Sequence, residues 1–218
     1  MKMKRAAIFD LDGTVAATLE AIAHCANMAI GDFGYEAYPI DQFKTFAGDG
    51  AHTLIERALK GRGVEDKDTV EKVFARYMEI FAVDCLYNAH PYEGIPELLK
   101  SLREKGIKTA VLSNKPHPES IKTVDGILPK GSFDLIRGVI DGCPKKPAPD
   151  GAFAIAKEFG VEPSECIYLG DTNTDMKTGK SAGMFTIGVT WGFRPVEELK
   201  ENHADAIIDH PLEALKYI

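Results

Sequence analysis

Short apolar runs that stop abruptly at polar residues recur along the chain: 5–9 (RAAIF, then DLDGT), 107–114 (IKTAVLSN), 135–141 (LIRGVID), 166–171 (CIYLGD) and 184–189 (MFTIGV). Runs of this length, continuously apolar rather than alternating, predict strands buried on both faces. Helical signals lie between them, at 96–106, 118–125, 150–160 and about 175–182. The first of these has Pro96 inside its start and Gly106 at its end, the places where those residues cost a helix least. A βαβα rhythm predicts a parallel sheet covered by helices on both sides.

Residues 15–89 depart from that rhythm and follow a helical period instead. Val70, Val73, Phe74, Tyr77, Phe81 and Cys85 fall on one stripe of a long helix, and Leu19, Ile22, Ala26, Ala29 and Phe33 form a second stripe. Pro91, Gly94 and Pro96 then punctuate the return to βα units. The expected architecture is α/β: a doubly wound Rossmann-like parallel sheet core from 1–14 and 90–218, with an inserted all-helical cap over 15–89.

Charge narrows the partners. The chain has 33 acidic against 26 basic residues, a net charge of -7, and no Lys/Arg run, so a nucleic acid is not expected to bind. A small anion still binds an acidic protein where local donors or a metal reverse the sign inside one cleft. Cys25, Cys85, Cys143 and Cys166 are widely spaced, without C-x-x-C or zinc spacing, and read as reduced thiols of a cytoplasmic protein. The apolar stretch after the basic start MKMKR ends at Asp10, too short for a signal peptide's apolar segment, and no run reaches bilayer-spanning length. No membrane partner is expected, and the oligomeric state is left open.

Ligands of open parallel sheets bind beyond the carboxyl ends of the strands, where strand order reverses. Those ends carry Asp10 and Asp12, then Ser113 and Asn114, then Asp171 with Asp175, while Lys146 stands in KKPAPD ahead of a helix. Acids gathered at one edge repel unless a cation compensates them. Mg²⁺ suits that place, because it takes oxygen ligands and bridges carboxylates to phosphate.

Each residue also has a plainer reading. Asp10 and Asp12 alone suit a solvated turn, and Lys146 alone a surface lysine. Sharper rivals fail on spacing. An EF-hand loop would put Thr14, Val15 and Ala21 at positions five, six and twelve. TDMKTGKS has Thr174 where a P-loop needs its first glycine. Ser113, in VLSNK, lacks the glycines of a nucleophile elbow. The GDG at 48–50 has no preceding strand and reads as a turn near substrate or a plain helix entry. His24, His52, His90 and His117 show no metal spacing, and only His52 is a candidate to face the cleft. Trp191 and Phe193 are expected to pack rather than border it.

Taken in order, these motifs resemble the haloacid-dehalogenase-like hydrolases: D-x-D-G-T at Asp10–Thr14, the strand-terminal hydroxyl at Ser113, Lys146 before Pro147, and G-D-x-x-x-D from Gly170 to Asp175. The resemblance implies a phosphatase in which Asp10 attacks phosphorus and Asp12 protonates the leaving alcohol and then activates water. It places Mg²⁺ on Asp10, the Asp12 carbonyl and Asp171. Ser113 and the Asn114 N–H would hold phosphate oxygens, Lys146 would offset their charge, and Asp175 would orient Lys146 or a metal-bound water. Thr14 and Gly50 are further candidates for contact with a small phosphorylated metabolite.

FAGDGAHTLIERAL, HPYEGIPELLKSLREKG, LSNKP and VTWGFRP are similar to the phosphoglycolate phosphatases, whose helical cap follows the first motif. Ala16-Ala17-Thr18 departs from the acid and Ser usual there. A phosphosugar mutase or a pyrophosphatase of the same superfamily is the alternative. A phospho-accepting signalling module is more remote, because it needs no helical insertion.

Overall fold

The computed structural model describes residues 3–218; Met1 and Lys2 of the basic start lie outside the described residues. Six strands form one parallel sheet: β1 (Ala6–Phe9), β4 (Lys108–Pro116), β5 (Leu135–Val139), β6 (Cys166–Gly170), β7 (Phe185–Val189) and β8 (Ala206–Ile208), in the order β5-β4-β1-β6-β7-β8. The chain runs outward from β1 through β4 and β5, then crosses back to β6 and continues the other way. Strand order therefore reverses between β1 and β6, whose Phe9 and Leu169 are register partners.

Burial explains why the runs are unbroken. Ala7, Phe9, Val111, Ile167 and Leu169 face one side and pack against Leu98 and Leu102 of α5 (Ile95–Glu104) and Val124 of α6 (His117–Ile127). Ala6, Ile8, Ala110, Leu112 and Tyr168 face the other side. They meet Ala152, Ile155 and Ala156 of α7 (Asp150–Phe159), and α8 (Asn173–Ser181) packs against β6 and β7. Alternate residues of one strand thus serve two cores, which is what a period of two gives in a covered sheet.

The segment between β1 and α5 holds α1 (Leu19–Gly31), α2 (Phe43–Phe46), α3 (Ala51–Lys60) and α4 (Lys67–Asp84), which gather round an apolar cluster of their own. Val70, Val73, Tyr77, Phe81 and Cys85 are buried along α4 as the stripe predicts, and Phe74 packs against the same cluster half-buried. The other stripe fails at its end. α1 stops at Gly31, the chain turns, and Phe33 is 39% exposed.

Two further differences are short elements. Ala16–Ala17 (β2) pairs antiparallel with His90–Pro91 (β3), where only helices are expected before residue 90. β8 and the helix α9 (Val196–Glu201) follow β7 without a sequence signal; three and six residues are too few to develop a period. Among the described residues no helix is long and apolar enough to cross a membrane, and all four cysteines are free.

Candidate active site

The site grows out of the end of β1. Asp10 N–H continues the ladder by donating to Leu169 O (2.9 Å), after which the chain folds tightly back: the Val15 and Ala16 N–H groups both donate to Leu11 O (3.0 and 2.9 Å). Gly13 makes this turn possible. Its φ is +89°, and a Cβ there would stand 2.4 Å from Asp171 Oδ2, a distance no side chain tolerates.

Asp171, at the end of β6, is wholly buried and held from two sides. Thr14 Oγ1 donates to its Oδ1 (3.1 Å) and Phe193 N–H to its Oδ2 (2.7 Å). Asp175, in the first turn of α8, accepts from the Thr172 N–H and hydroxyl (3.1 and 2.7 Å) through Oδ2, which satisfies the helix start. Its Oδ1 accepts from Lys146 Nζ at 2.7 Å, and Asp10 Oδ1 accepts from the same ammonium at 2.6 Å. The Asn114 side chain fixes the lysine's backbone, accepting from Lys146 N–H (2.9 Å) and donating to Lys146 O (3.0 Å).

Three buried carboxylates, those of Asp10, Asp171 and Asp175, can each place an oxygen within 4.8 Å of the others. Lys146 supplies one positive charge, so two negative charges are left in a place where water cannot screen them. The titrations reflect this. Burial, reinforced by Asp175, pushes the Asp171 carboxyl up to about 7. Burial and Asp175 likewise raise Asp10 well above the carboxylate range, although Lys146 opposes them. Burial works against charge on Lys146, but Asp10 and Asp175 outweigh it and hold the ammonium protonated. Hard oxygen donors carrying two uncompensated charges are the donor set of a divalent cation such as Mg²⁺. Asp175 is tied to Lys146 and to the start of α8, whereas Asp10 keeps one oxygen without a protein partner and Asp171 is held by neutral donors alone.

Above these groups lies a small cleft of about 50 Å³, room for roughly four waters if each needs ~10–15 Å³. Asp10, Asp12, Ser113 and Asn114 line it together with Ile22, Leu54, Tyr77 and Phe81 from the helical segment. Ser113 Oγ accepts from Lys115 N–H (3.1 Å), which leaves its own proton free to donate. Asp12 Oδ1 accepts from Thr18 Oγ1 (2.6 Å) and Lys115 Nζ (2.8 Å). Gly50 lines the cleft, whereas Thr14 does not: its hydroxyl is spent on Asp171. His52 faces α4, with Nε2 2.9 Å from Glu71 Oε1, and so turns away from the cleft. Phe193 lines it, against expectation.

The 47–50 turn is tied to the strand ends. Arg194 donates to Ala47 O (2.8 Å), Asn114 Nδ2 to Gly48 O (3.1 Å), Lys145 to Asp49 O (2.6 Å) and Thr174 to Asp49 Oδ1 (2.8 Å). Burial opposes charge on Asp49, but hydrogen bonds from Thr174 and Arg57 hold its carboxyl below the usual range.

Lys115, which lines the cleft, and Thr18, which does not, are the partners of Asp12 that the motifs leave out. Lys115 was signalled by its place two residues beyond Ser113 on one strand, since alternate residues leave a strand on the same side. Thr18 carried no such signal, because nothing in the sequence shows how the chain folds back after Gly13.

Comparison with known proteins agrees with this geometry. The family model described as haloacid dehalogenase-like hydrolase matches residues 7–189. A phosphoglycolate phosphatase of Aquifex aeolicus is 32% identical over 216 residues, covering 97% of this chain and 95% of that protein. Another from Rhodospirillum rubrum is 32% identical over 209 residues, covering 90% and 85%. A crystal structure from Lactobacillus delbrueckii subsp. bulgaricus, itself described only provisionally as a phosphoglycolate phosphatase, superposes with a TM-score of 0.90 at 32% identity and 97% coverage of both chains. With the motif residues gathered at the switch between β1 and β6, and with most of its length matched, this chain belongs to the haloacid dehalogenase-like hydrolases.

Proposed function

We propose that this protein is a Mg²⁺-dependent phosphatase of small phosphomonoesters that works through an aspartyl phosphate on Asp10, with 2-phosphoglycolate as the preferred substrate. The observation that carries the proposal is the buried Asp10–Lys146–Asp175 chain beside Asp171 at the point where strand order reverses. The substrate follows from the relatives named above and from the small size of the cleft.

Asp10, the Asp12 carbonyl and Asp171 would hold the metal, which supplies positive charge for a carboxylate approaching a phosphate dianion. Lys146 keeps one Asp10 oxygen fixed and offsets charge on the same side. Ser113 Oγ–H and the Asn114 N–H orient the phosphate oxygens. Asp10 attacks phosphorus, the ester P–O bond breaks, and the departing oxygen takes a proton from Asp12. Asp12, now a carboxylate, takes a proton from a water that attacks the same phosphorus. The acyl P–O bond then breaks, releasing phosphate and restoring Asp10. We assign Thr14 and Asp175 to positioning, of Asp171 and Lys146 respectively. We further assign residues 15–89 as a cap that excludes bulk water, and the free thiols to a cytoplasmic setting.

Asp12→Asn tests the scheme. It should slow turnover by about 10²- to 10⁴-fold, the range for a lost general acid-base group, without slowing both half-reactions alike. p-Nitrophenyl phosphate, whose leaving group needs little protonation, should give a burst near one equivalent and then stall as phosphoenzyme, visible as added intact mass after acid quench. An alkyl phosphate should give a much smaller burst. Equal slowing of both substrates with no phosphoenzyme would remove Asp12 from its role.

A further inference from the structure

Lys115 is a buried cation that the chemistry proposed above leaves unused. Its side chain is 2% exposed, its ammonium donates to Asp12 Oδ1 at 2.8 Å, and it stands 4.8 Å from the centre of the Phe81 ring. An ammonium has three donors, and among the described residues Asp12 Oδ1 is the one hydrogen-bond acceptor it meets. A surface lysine keeps its charge in water. This one is held inside, where an unsatisfied charge is costly.

Its surroundings indicate what the remaining donors are for. Among the residues lining the cleft, Lys115 is the only cation; Lys146 lies below, committed to Asp10 and Asp175. Ile22, Leu54, Tyr77 and Phe81 line the same cleft. A leaving group that enters the cleft beyond Asp10 therefore meets apolar surface and, set against the Phe81 ring, a single charged donor. Asp12, which would face the leaving oxygen, already touches that donor. A substrate carboxylate one carbon beyond the ester oxygen would give the same ammonium a second acceptor beside Asp12. The Phe81 ring face holds the ammonium while it is shared.

We infer that Lys115 recognises a carboxylate on the leaving-group side of the substrate and so makes the enzyme selective for short phosphorylated acids. The inference rests on the phosphatase reading, with phosphorus beside Asp10. A residue that merely oriented Asp12 would affect every ester alike, whereas recognition separates acids from neutral esters of equal length.

The test compares kcat/KM for 2-phosphoglycolate and ethyl phosphate, with Mg²⁺, in the full-length protein and in Lys115→Met. The unmodified enzyme should favour the acid by about tenfold to a hundredfold, the scale of a charge-assisted contact. In Lys115→Met both esters slow, since Asp12 loses a partner, but the preference falls below about threefold, chiefly through KM. A measurement that needs no variant accompanies it. As competitive inhibitors of p-nitrophenyl phosphate turnover, 3-phosphonopropionate should bind tighter than propylphosphonate by a similar factor. An undiminished preference in Lys115→Met, or equal inhibition by the two phosphonates, overturns the inference. If p-nitrophenyl phosphate is hydrolysed and phosphoglycolate is not, the inference falls while the phosphatase reading stands. If no ester is hydrolysed, the reading falls and takes the inference with it.

Discussion

Replacing Lys146 with Met keeps the side chain's length but removes the ammonium from among three buried carboxylates. Nζ lies 2.6 Å from Asp10 Oδ1 and 2.7 Å from Asp175 Oδ1, with only 3% of the lysine side chain exposed. Removing one member of a buried ion pair typically costs about 3–5 kcal/mol, because the partner is left charged and dry. At this size a kcal/mol moves Tm by about 2–4 °C, so metal-free Lys146→Met should melt roughly 6–20 °C lower at pH 8. At pH 5 the deficit should shrink. Burial raises the Asp171 carboxyl to about 7, so it is largely protonated there and the site misses the cation less; burial moves Asp10 in the same direction. Added Mg²⁺ should recover part of the loss at pH 8 by supplying the missing charge. Thermal unfolding followed by circular dichroism at both pH values, in chelator and in Mg²⁺, reads all three effects. A Tm within 2 °C of the parent at pH 8 in chelator, or a larger deficit at pH 5, would refute the electrostatic account of the site.

Three other outcomes follow from the same geometry. In chelator the parent protein should lose stability as pH rises from about 4 to 7: Asp171 binds its proton more tightly folded, with a value near 7 against 3.8, so unfolding releases a proton. About three pK units bound the loss near 4 kcal/mol, and a denaturant titration showing greater stability at pH 8 than at pH 5 contradicts this. Gly13→Ala forces a Cβ to 2.4 Å from Asp171 Oδ2 at a φ of +89°; it should cost about 1–3 kcal/mol and weaken Mg²⁺ binding by calorimetry, and parent-like affinity speaks against the assigned ligands. Asp49→Ala removes the Thr174 and Arg57 contacts of the 47–50 turn. It should raise KM for small esters about twofold to tenfold, and an unchanged KM would mean the turn does not shape the cleft.

How much of this was legible in the sequence depended on length and period. The five sheet runs were readable because burial on both faces keeps most strand positions apolar, without exception in Ala6–Phe9. β2, β3 and β8 have two or three residues each, and their pairing is set by where the ends of longer elements fall. Asp10, Asp171 and Lys146 were readable as candidates because strand ends concentrate chemistry, yet their shared geometry depends on contacts 136 residues apart along the chain. Phe33 shows the converse: an apolar residue in register with a stripe is exposed once the helix has ended. The Phe193 N–H on Asp171 was invisible, since a backbone donor leaves no trace in residue type.

The two-residue ribbon of Ala16–Ala17 with His90–Pro91 also has an evolutionary consequence. Partners in an antiparallel pair sit about 4.5–5.5 Å apart, so the helical segment leaves and returns at almost one point. Any segment whose two ends meet that spacing can be grafted there without moving a sheet strand, and the entropy of closing it grows only slowly with its length. The helical segment between the two pairs is therefore exchangeable in a way the strands that carry Asp10 and Asp171 are not. Under the proposed role of residues 15–89 as a cap, exchanging that segment would change what reaches Asp10 while the carboxylates stay where the strands hold them.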